Sequence, residues 1–282
     1  MWICPVCRAP LSTEGASWSC VQGHSFDVSR EGYINLLLVQ QKKSRHPGDT
    51  PASLQARREF LDAGHYAPLR QALIGQMPTQ RPQNWLDIGC GEGYYTSAMR
   101  DHADRVIGLD IAKAGVQMAA QRYTGIKWVV GSAVALPLAA DSLDGCSSLF
   151  APVSQDIVRV MRRGAMLMVV TPDTDHLFSL RQALFEEVRP HQPQRIVQSL
   201  PAGLEAVTQH AIRFELKLQQ ADLKGLLAMT PYAWKAKAER RMTLEAMPEI
   251  LTQAAFILHI LHKQDKYPDI IPQPKTSGVS KF

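Results

Sequence analysis

From Asn84 onward, short apolar runs alternate with stretches of helical periodicity. The runs occupy 84–89, 105–110, 126–132, 143–150, 165–171, 211–218 and 256–263. Runs of this length read as strands, and the amphipathic stretches between them read as connecting helices. The alternation predicts an α/β class domain built on a doubly wound, mostly parallel sheet. Ahead of it, 54–63 has helical periodicity with Arg57 and Arg58 on its exposed face. Gly64-His65-Tyr66 breaks that helix, and a second follows over 68–77. Residues 1–40 show neither period. Pro10, Gly15 and the Ser/Thr residues between Arg8 and Ser19 predict turns and a short hairpin.

Four units follow from this pattern: a small module over 1–40, a basic linker and helical lead-in over 41–83, the α/β domain over 84–263, and a tail over 264–282. The tail carries Pro268, Pro272 and Pro274 and is expected to be disordered. A chain of 282 residues is long enough for one large domain and a small accessory unit. Its 31 Lys and Arg against 26 Asp and Glu give a net charge of +5, which permits a polyanionic partner without demanding one. No apolar run reaches the ~20 residues that span a bilayer. The start, Met1-Trp2-Ile3-Cys4, lacks the regions of a signal peptide. Five cysteines, three of them clustered, suit a reducing cytoplasm.

The cluster is Cys4, Cys7, Cys20 and His24, spaced C-x2-C-x12-C-x3-H. Thiolate and imidazole ligands at this spacing predict a structural, tetrahedral zinc, since four protein ligands leave no position open for catalysis. No helix with two histidines is present, so a zinc ribbon fits better than a ββα finger. The module is too short to bury a core by itself, so metal binding worth ~10–16 kcal/mol is expected to fold it. Cys90 and Cys146 sit in apolar strand contexts and read as small buried hydrophobes.

The first strand of the α/β domain runs into Asp87-x-Gly89-x-Gly91-x-Gly93. Glycines allow a sharp turn and close approach to a ligand. A pyrophosphate would be repelled by Asp87 and Glu92 in this loop. S-adenosylmethionine carries a sulfonium and an ammonium, so acidic groups suit it. One strand later, Asp110 stands where a carboxylate can accept the ribose hydroxyls of an adenosine cofactor. Ser132 and Ala133 end the third strand, where the adenine edge would lie.

Several motifs together resemble the RlmA family, bacterial 23S rRNA (guanine-N1)-methyltransferases. They are Cys4-Pro5-Val6-Cys7, Cys20-x3-His24-x-Phe26-Asp27, Glu31 to Leu37, Pro47-Gly48-Asp49, Gln55-Ala56-Arg57-Arg58-x-Phe60-Leu61, Gly64-His65-Tyr66, Leu86 to Tyr95, and Met229 to Trp234. The resemblance extends to about residue 263. It implies an amino-terminal zinc domain, a class I (Rossmann-like) S-adenosylmethionine-dependent methyltransferase domain, and a homodimer. The implied substrate is a guanine in a hairpin loop of domain II of 23S rRNA, near the peptide exit tunnel. Tyr66, Gly91-Glu92 and His176 match the family's cofactor contacts. Lys42, Lys43, Arg45, Arg57 and Arg58 are candidates for RNA phosphates, against the plainer reading of Lys42 to Arg45 as a solvated connector. No residue is singled out as catalytic, although Asp173 and Asp175 lie near the expected pocket mouth. After the fourth strand, Phe150-Ala151-Pro152-Val153 lacks the Asn/Asp-Pro-Pro-aromatic motif of many exocyclic-amine methyltransferases, consistent with a ring-nitrogen target. Two other classes stay open: a small-molecule methyltransferase with a structural ribbon, and a non-catalytic RNA-binding protein.

Overall fold

The chain opens with three short strands, β1 (Leu11–Ser12), β2 (Ser17–Cys20) and β3 (Ser25–Asp27), paired antiparallel in a sheet of their own. The structure, a computed structural model, describes residues 1–42 and 48–264. Strand β4 (Tyr33–Asn35) leaves that unit and pairs parallel with β7 (Lys127–Val130) at the margin of the large sheet. Helix α1 (Pro51–Asp62) begins three residues before the periodicity does. Its start is fixed by capping: Ser53 N–H donates to Thr50 Oγ1 at 3.2 Å, and Pro51 takes the first turn. Helix α2 (Ala67–Gly75) follows.

The body then alternates through β5 (Asn84–Ile88), α3 (Tyr94–Met99), β6 (Arg105–Asp110), α4 (Lys113–Arg122), β7, β8 (Leu143–Leu149), α5 (Gln155–Val160) and β9 (Met161–Pro172). Helices α6 (Phe178–Leu184) and α7 (Gln194–Gln198) lead to β10 (Leu204–Gln219). Helices α8 (Gln220–Met229), α9 (Tyr232–Lys235) and α10 (Ala238–Glu245) lead to β11 (Glu249–Lys263). All seven strands read from the apolar runs are present. The last three are longer than those runs: β11 begins early, at Glu249, because 249–255 pair with β10 past the end of β9, and β10 begins early, at Leu204, as an edge strand whose first residues are mostly exposed and polar.

The large sheet has eight strands in the order β10-β11-β9-β8-β5-β6-β7-β4, and β11 runs antiparallel to both neighbours. Every residue of β5 is buried, as expected for a central parallel strand covered on both faces. Trp85 faces one core with Tyr66, Leu69 and Phe256, whereas Leu86 and Ile88 face the other. From β5 the chain steps outward through β6 and β7, then returns to β8 on the opposite side of β5. In open α/β sheets a ligand binds beyond the carboxyl ends of the strands at such a reversal. The fold alone therefore points to the crevice between β5 and β8.

The amino-terminal unit does not stand apart from this sheet. Cys4, Trp18 and Cys20 belong to the same buried cluster as Leu86, Ile88, Leu136 and Leu138. Ile3 N–H donates to Pro137 O at 3.1 Å and Ala139 N–H to Met1 O at 2.8 Å. The expectation of a module folded by metal alone is corrected in this respect: it borrows core from the α/β domain. Cys90 and Cys146 are buried, as read. Among the described residues, no helix is long and apolar enough to cross a membrane.

Candidate active site and metal centre

Cys4, Cys7, Cys20 and His24 converge, with one ligand atom from each lying within 4.8 Å of the others. Cys7 Sγ is 3.6 Å from Cys20 Sγ, and Cys20 Sγ is 3.4 Å from His24 Nδ1. Tetrahedral coordination at ~2.3 Å per bond separates ligand atoms by about 3.8 Å, so the donor set fits a structural ion. Burial raises the Cys20 thiol, but hydrogen bonds from the Gln22 amide and from His24 outweigh it and bring it down to about 6. That favours the thiolate, which is the metal-binding form.

At the β5 end, the loop from Gly89 to Gly93 folds back on β6. Gly89 N–H donates to Leu109 O at 2.8 Å, and Gly91 N–H donates to Asp110 Oδ2 at 2.8 Å. Asp110 Oδ1 accepts from Ala112 N–H at 2.7 Å. A carboxylate has about four lone-pair sites, so two amides leave capacity for ribose hydroxyls. Asp87 is buried and accepts from Thr96 Oγ1 at 2.5 Å and Ser147 Oγ at 2.7 Å. Burial outweighs these bonds, and with the Asp110 charge it raises Asp87 to about 6. Glu92 is also raised by burial, against the nearby Arg58 charge. Ser132 is buried at the β7 end, where Gly131 N–H donates to Asp110 O at 2.9 Å. Ala133 O accepts from Ser154 Oγ at 2.5 Å.

The turn after β8 closes on this loop. Gly89 has φ of +74°, and a Cβ built on it would stand 2.6 Å from Ala151 Cβ. We expect Gly89→Ala to lose about 2–4 kcal/mol of stability from backbone strain and overlap. Cofactor affinity should fall at least tenfold. Thermal melts and calorimetry check this, and an unchanged melting temperature would show that the turn gives way freely. Phe150 forms the lip: its φ is +61°, unusual for a bulky residue, and its ring is half-exposed.

Tyr66 and His176 come from distant positions and meet on Phe256, with ring centroids 5.3 and 4.5 Å from it. Phe150 lies 5.6 Å from the same ring. Phe256 is therefore the organising residue on this side, and only its place at the start of an apolar run hinted at it. His176 Nδ1 accepts from Ala255 N–H at 3.2 Å. Burial, then the His191 and Arg181 charges, lower the ring to about 3, so it is neutral and carries its proton on Nε2. Tyr95 packs edge-on against Tyr94, with ring centroids 5.0 Å apart, and burial, with the Tyr66, Tyr94 and Glu92 charges, raises its hydroxyl well above the usual tyrosine value.

The chemistry of this crevice fits S-adenosylmethionine. Glu92 Oε2 and Tyr95 Oη are buried without a hydrogen-bond partner among the described residues. Such atoms cost ~1–3 kcal/mol each unless water or a ligand satisfies them. A carboxylate acceptor beside a hydroxyl suits an ammonium, and Asp110 suits a ribose.

Other expected residues lie differently. Arg57 and Arg58, read as exposed, are half-buried: Arg57 reaches the glycine loop at Gly91, and Arg58 reaches the neighbouring helix α4. Arg58 Nη2 donates to Met118 O at 2.9 Å, and Arg57 Nη2 pairs with Asp49 at 2.6 Å. Lys42 is exposed; Lys43 and Arg45 lie outside the described residues. Asp173 pairs with Arg213 at 2.6 Å. Burial would raise it, but that bond and the Thr174 amide hold it below the usual carboxylate range, making it a poor proton acceptor. Asp175 Oδ1 is buried without a partner among the described residues.

Comparison with known proteins agrees with this arrangement. The family profile described as RlmA, N-terminal, a zinc ribbon, matches residues 2–45, and a methyltransferase domain profile matches 86–169. A Streptomyces fradiae protein named 23S rRNA (guanine(748)-N(1))-methyltransferase is 36% identical over 244 residues, covering 82% of this chain and 85% of its own. A Micromonospora griseorubida protein, provisionally named a 23S rRNA (guanine-N(1)-)-methyltransferase, is 32% identical over 284 residues, covering 89% and 94%. A chain from the complex of the Haloferax volcanii Trm112 methyltransferase activator with a methyltransferase superposes with a TM-score of 0.50 at 18% identity, covering 76% and 96%, a likeness of fold alone. With the ribbon ligands converged, the crevice at the strand reversal fitted to the methyl donor, and relatives of this identity over most of its length, the chain belongs to the RlmA family and is an S-adenosylmethionine-dependent methyltransferase.

Proposed function

We propose that this enzyme methylates N1 of a guanine in 23S rRNA, in a hairpin loop of domain II near the peptide exit tunnel. The observation that carries the reading is the Streptomyces fradiae relative, 36% identical and matching 82% of this chain, whose name specifies methyl transfer to N1 of a 23S rRNA guanine; the hairpin and its place near the tunnel follow from the family resemblance. The ribbon profile over residues 2–45 supports it, because the ribbon and the crevice sit on one continuous core.

Bound in the crevice, S-adenosylmethionine supplies an electrophilic methyl carbon. Asp87 and Glu92 hold its positive end, Asp110 takes the ribose hydroxyls, and Ser132 and Ala133 border the adenine. Tyr66 and neutral His176 wall the opposite side. Phe150 offers an aromatic face where a guanine swung out of its loop can stack, and unpaired loops make that rotation inexpensive. Holding both reactants in line is the main contribution to rate. Guanine N1 must lose its proton during attack, and Asp173, paired with Arg213, is unsuited to take it.

Cys4, Cys7, Cys20 and His24 hold a structural zinc. The ribbon and the basic run beginning at Lys42 contact RNA phosphates, and the enzyme works in the cytoplasm as a homodimer, as in the family it resembles. Primer extension on 23S rRNA tests the reading, because N1 methylation blocks Watson–Crick pairing and stops the polymerase. A strain lacking this protein should lose one stop in domain II and regain it on complementation. Identical stops in parent and deletion strain would overturn the RNA assignment.

A further inference from the structure

The crevice is strongly acidic, with Asp87, Glu92 and Asp110 around the glycine loop and Asp49 above it. That suits the sulfonium and ammonium of the methyl donor but leaves its third charged group, the α-carboxylate, unexplained. A carboxylate brought into a ring of carboxylates needs a cation within contact distance.

Arg57 is placed to be that cation. Its Nη1 lies 3.4 Å from the position a Gly91 Cβ would take, so the guanidinium sits directly on the loop backbone. Its Nη2 is held by Asp49 Oδ2 at 2.6 Å. Among the described residues, Nη1 makes no hydrogen bond. Burial raises Glu92, Tyr95 and Asp110, and the Arg57 charge opposes that rise at each of them. The helix under it is fixed: Thr50 caps α1, and neighbouring Arg58 ties it to Met118 O of α4. Asp49 is braced in turn, because Gly48 packs so closely on Ala112 that a Cβ there would stand 2.6 Å from the Ala112 Cβ. A guanidinium oriented on one edge, with its other edge open over a glycine, is preorganised to receive a planar anion.

We propose that Arg57 clamps the α-carboxylate of S-adenosylmethionine, with Asp49 as the residue that positions its guanidinium. This rests on the cofactor reading of the crevice. It turns a residue that the sequence marks as an RNA contact into a cofactor contact, and it explains why an acidic pocket keeps an arginine.

The test is calorimetry without RNA, using S-adenosylhomocysteine and its decarboxylated analogue S-adenosyl-3-thiopropylamine, which keeps the amine and lacks the carboxylate. Wild type should prefer S-adenosylhomocysteine by about 10–100-fold, the range of a charge-assisted hydrogen-bond pair. In Arg57→Gln that preference should fall to near one, with little change for the analogue. Arg57→Lys, which keeps charge and stem without the planar fork, should retain part of it, and serves as the second variant if the glutamine form melts early. A preference unchanged in both variants would overturn the clamp. So would equal loss for the two ligands, which would make Arg57 a brace for the loop. Absence of heat from S-adenosylhomocysteine in wild type would instead sink the cofactor reading itself.

Discussion

Asp87→Asn should make the protein more stable at pH 7 and a poorer binder of its methyl donor. The carboxylate is almost wholly buried at the end of the central strand, and burial raises it from 3.8 to about 6. A raised acid costs stability when ionised, by about 3 kcal/mol for a shift of this size. Between pH 3.8 and 6 the folded chain holds the proton and the unfolded chain does not, so stability falls as pH rises through that window. The cost is complete above pH 6 and absent below 3.8. Asparagine keeps an acceptor and adds a donor that the Thr96 or Ser147 hydroxyl can receive, so the strand end remains satisfied. Melting temperatures should therefore separate variant from wild type at pH 7 and converge toward pH 4. Affinity of wild type for S-adenosylmethionine should fall as pH drops below 6, and the variant should bind at least tenfold more weakly at pH 7. A variant less stable than wild type at pH 7 would show that the two hydroxyl bonds outweigh burial. The strain lies where function needs it: a buried charge is maintained against its own cost because a cation is to sit nearby.

The sheet was legible because its central strands are buried on both faces. Asn84–Ile88 packs Trp85, Leu86 and Ile88 into both cores, and three large apolar residues in five positions ahead of a glycine-rich turn are visible without neighbours. The ribbon of β10 and β11 was only half legible, since a strand exposed on one face carries polar residues that resemble a loop. The ribbon ligands could be read from spacing alone, because zinc chemistry restricts the residue types and the short chain segments restrict the geometry. The glycine loop and Asp110 could be read for the same reason, each being local to one strand end. The far wall of the crevice could not. Tyr66 and His176 meet only through Phe256, which lies eighty positions from His176 in the sequence, and no local pattern encodes a meeting of three strand and helix ends. The half-burial of Arg57 and Arg58 was not legible for a different reason. Helical periodicity gives the angle at which a side chain leaves its own helix, but not which neighbour lies there: α4 meets Arg58, and Asp49 and the glycine loop meet Arg57.

Replacing Cys20 by Ala should abolish metal binding and lower the melting temperature sharply, yet leave cofactor affinity within about threefold. The loss follows from coordination: three ligands remain, and metal binding worth ~10–16 kcal/mol in isolated modules is folding energy. The unit borrows core through Trp18 and Cys4, so β1 to β3 should loosen while Trp18 keeps part of its burial. The danger to the cofactor site is that Met1 and Ile3 bond to the 137–139 segment, which follows Ser132 and Ala133 at the adenine border. That segment has a second anchor. Leu136 N–H donates to Asp156 Oδ2 at 2.5 Å, and Arg159 donates to Leu138 O at 2.6 Å and to Leu136 O at 3.0 Å. Both residues belong to α5 and owe nothing to the metal. Metal content by mass spectrometry should fall from one ion per chain to none, hydrogen exchange should rise in residues 4–28, and calorimetry should report near-normal binding of S-adenosylhomocysteine. Normal metal content would refute the ligand set. A cofactor affinity that falls with the metal would show that the ribbon, and not α5, holds the adenine border in place, and the two halves of the chain would then act as one site.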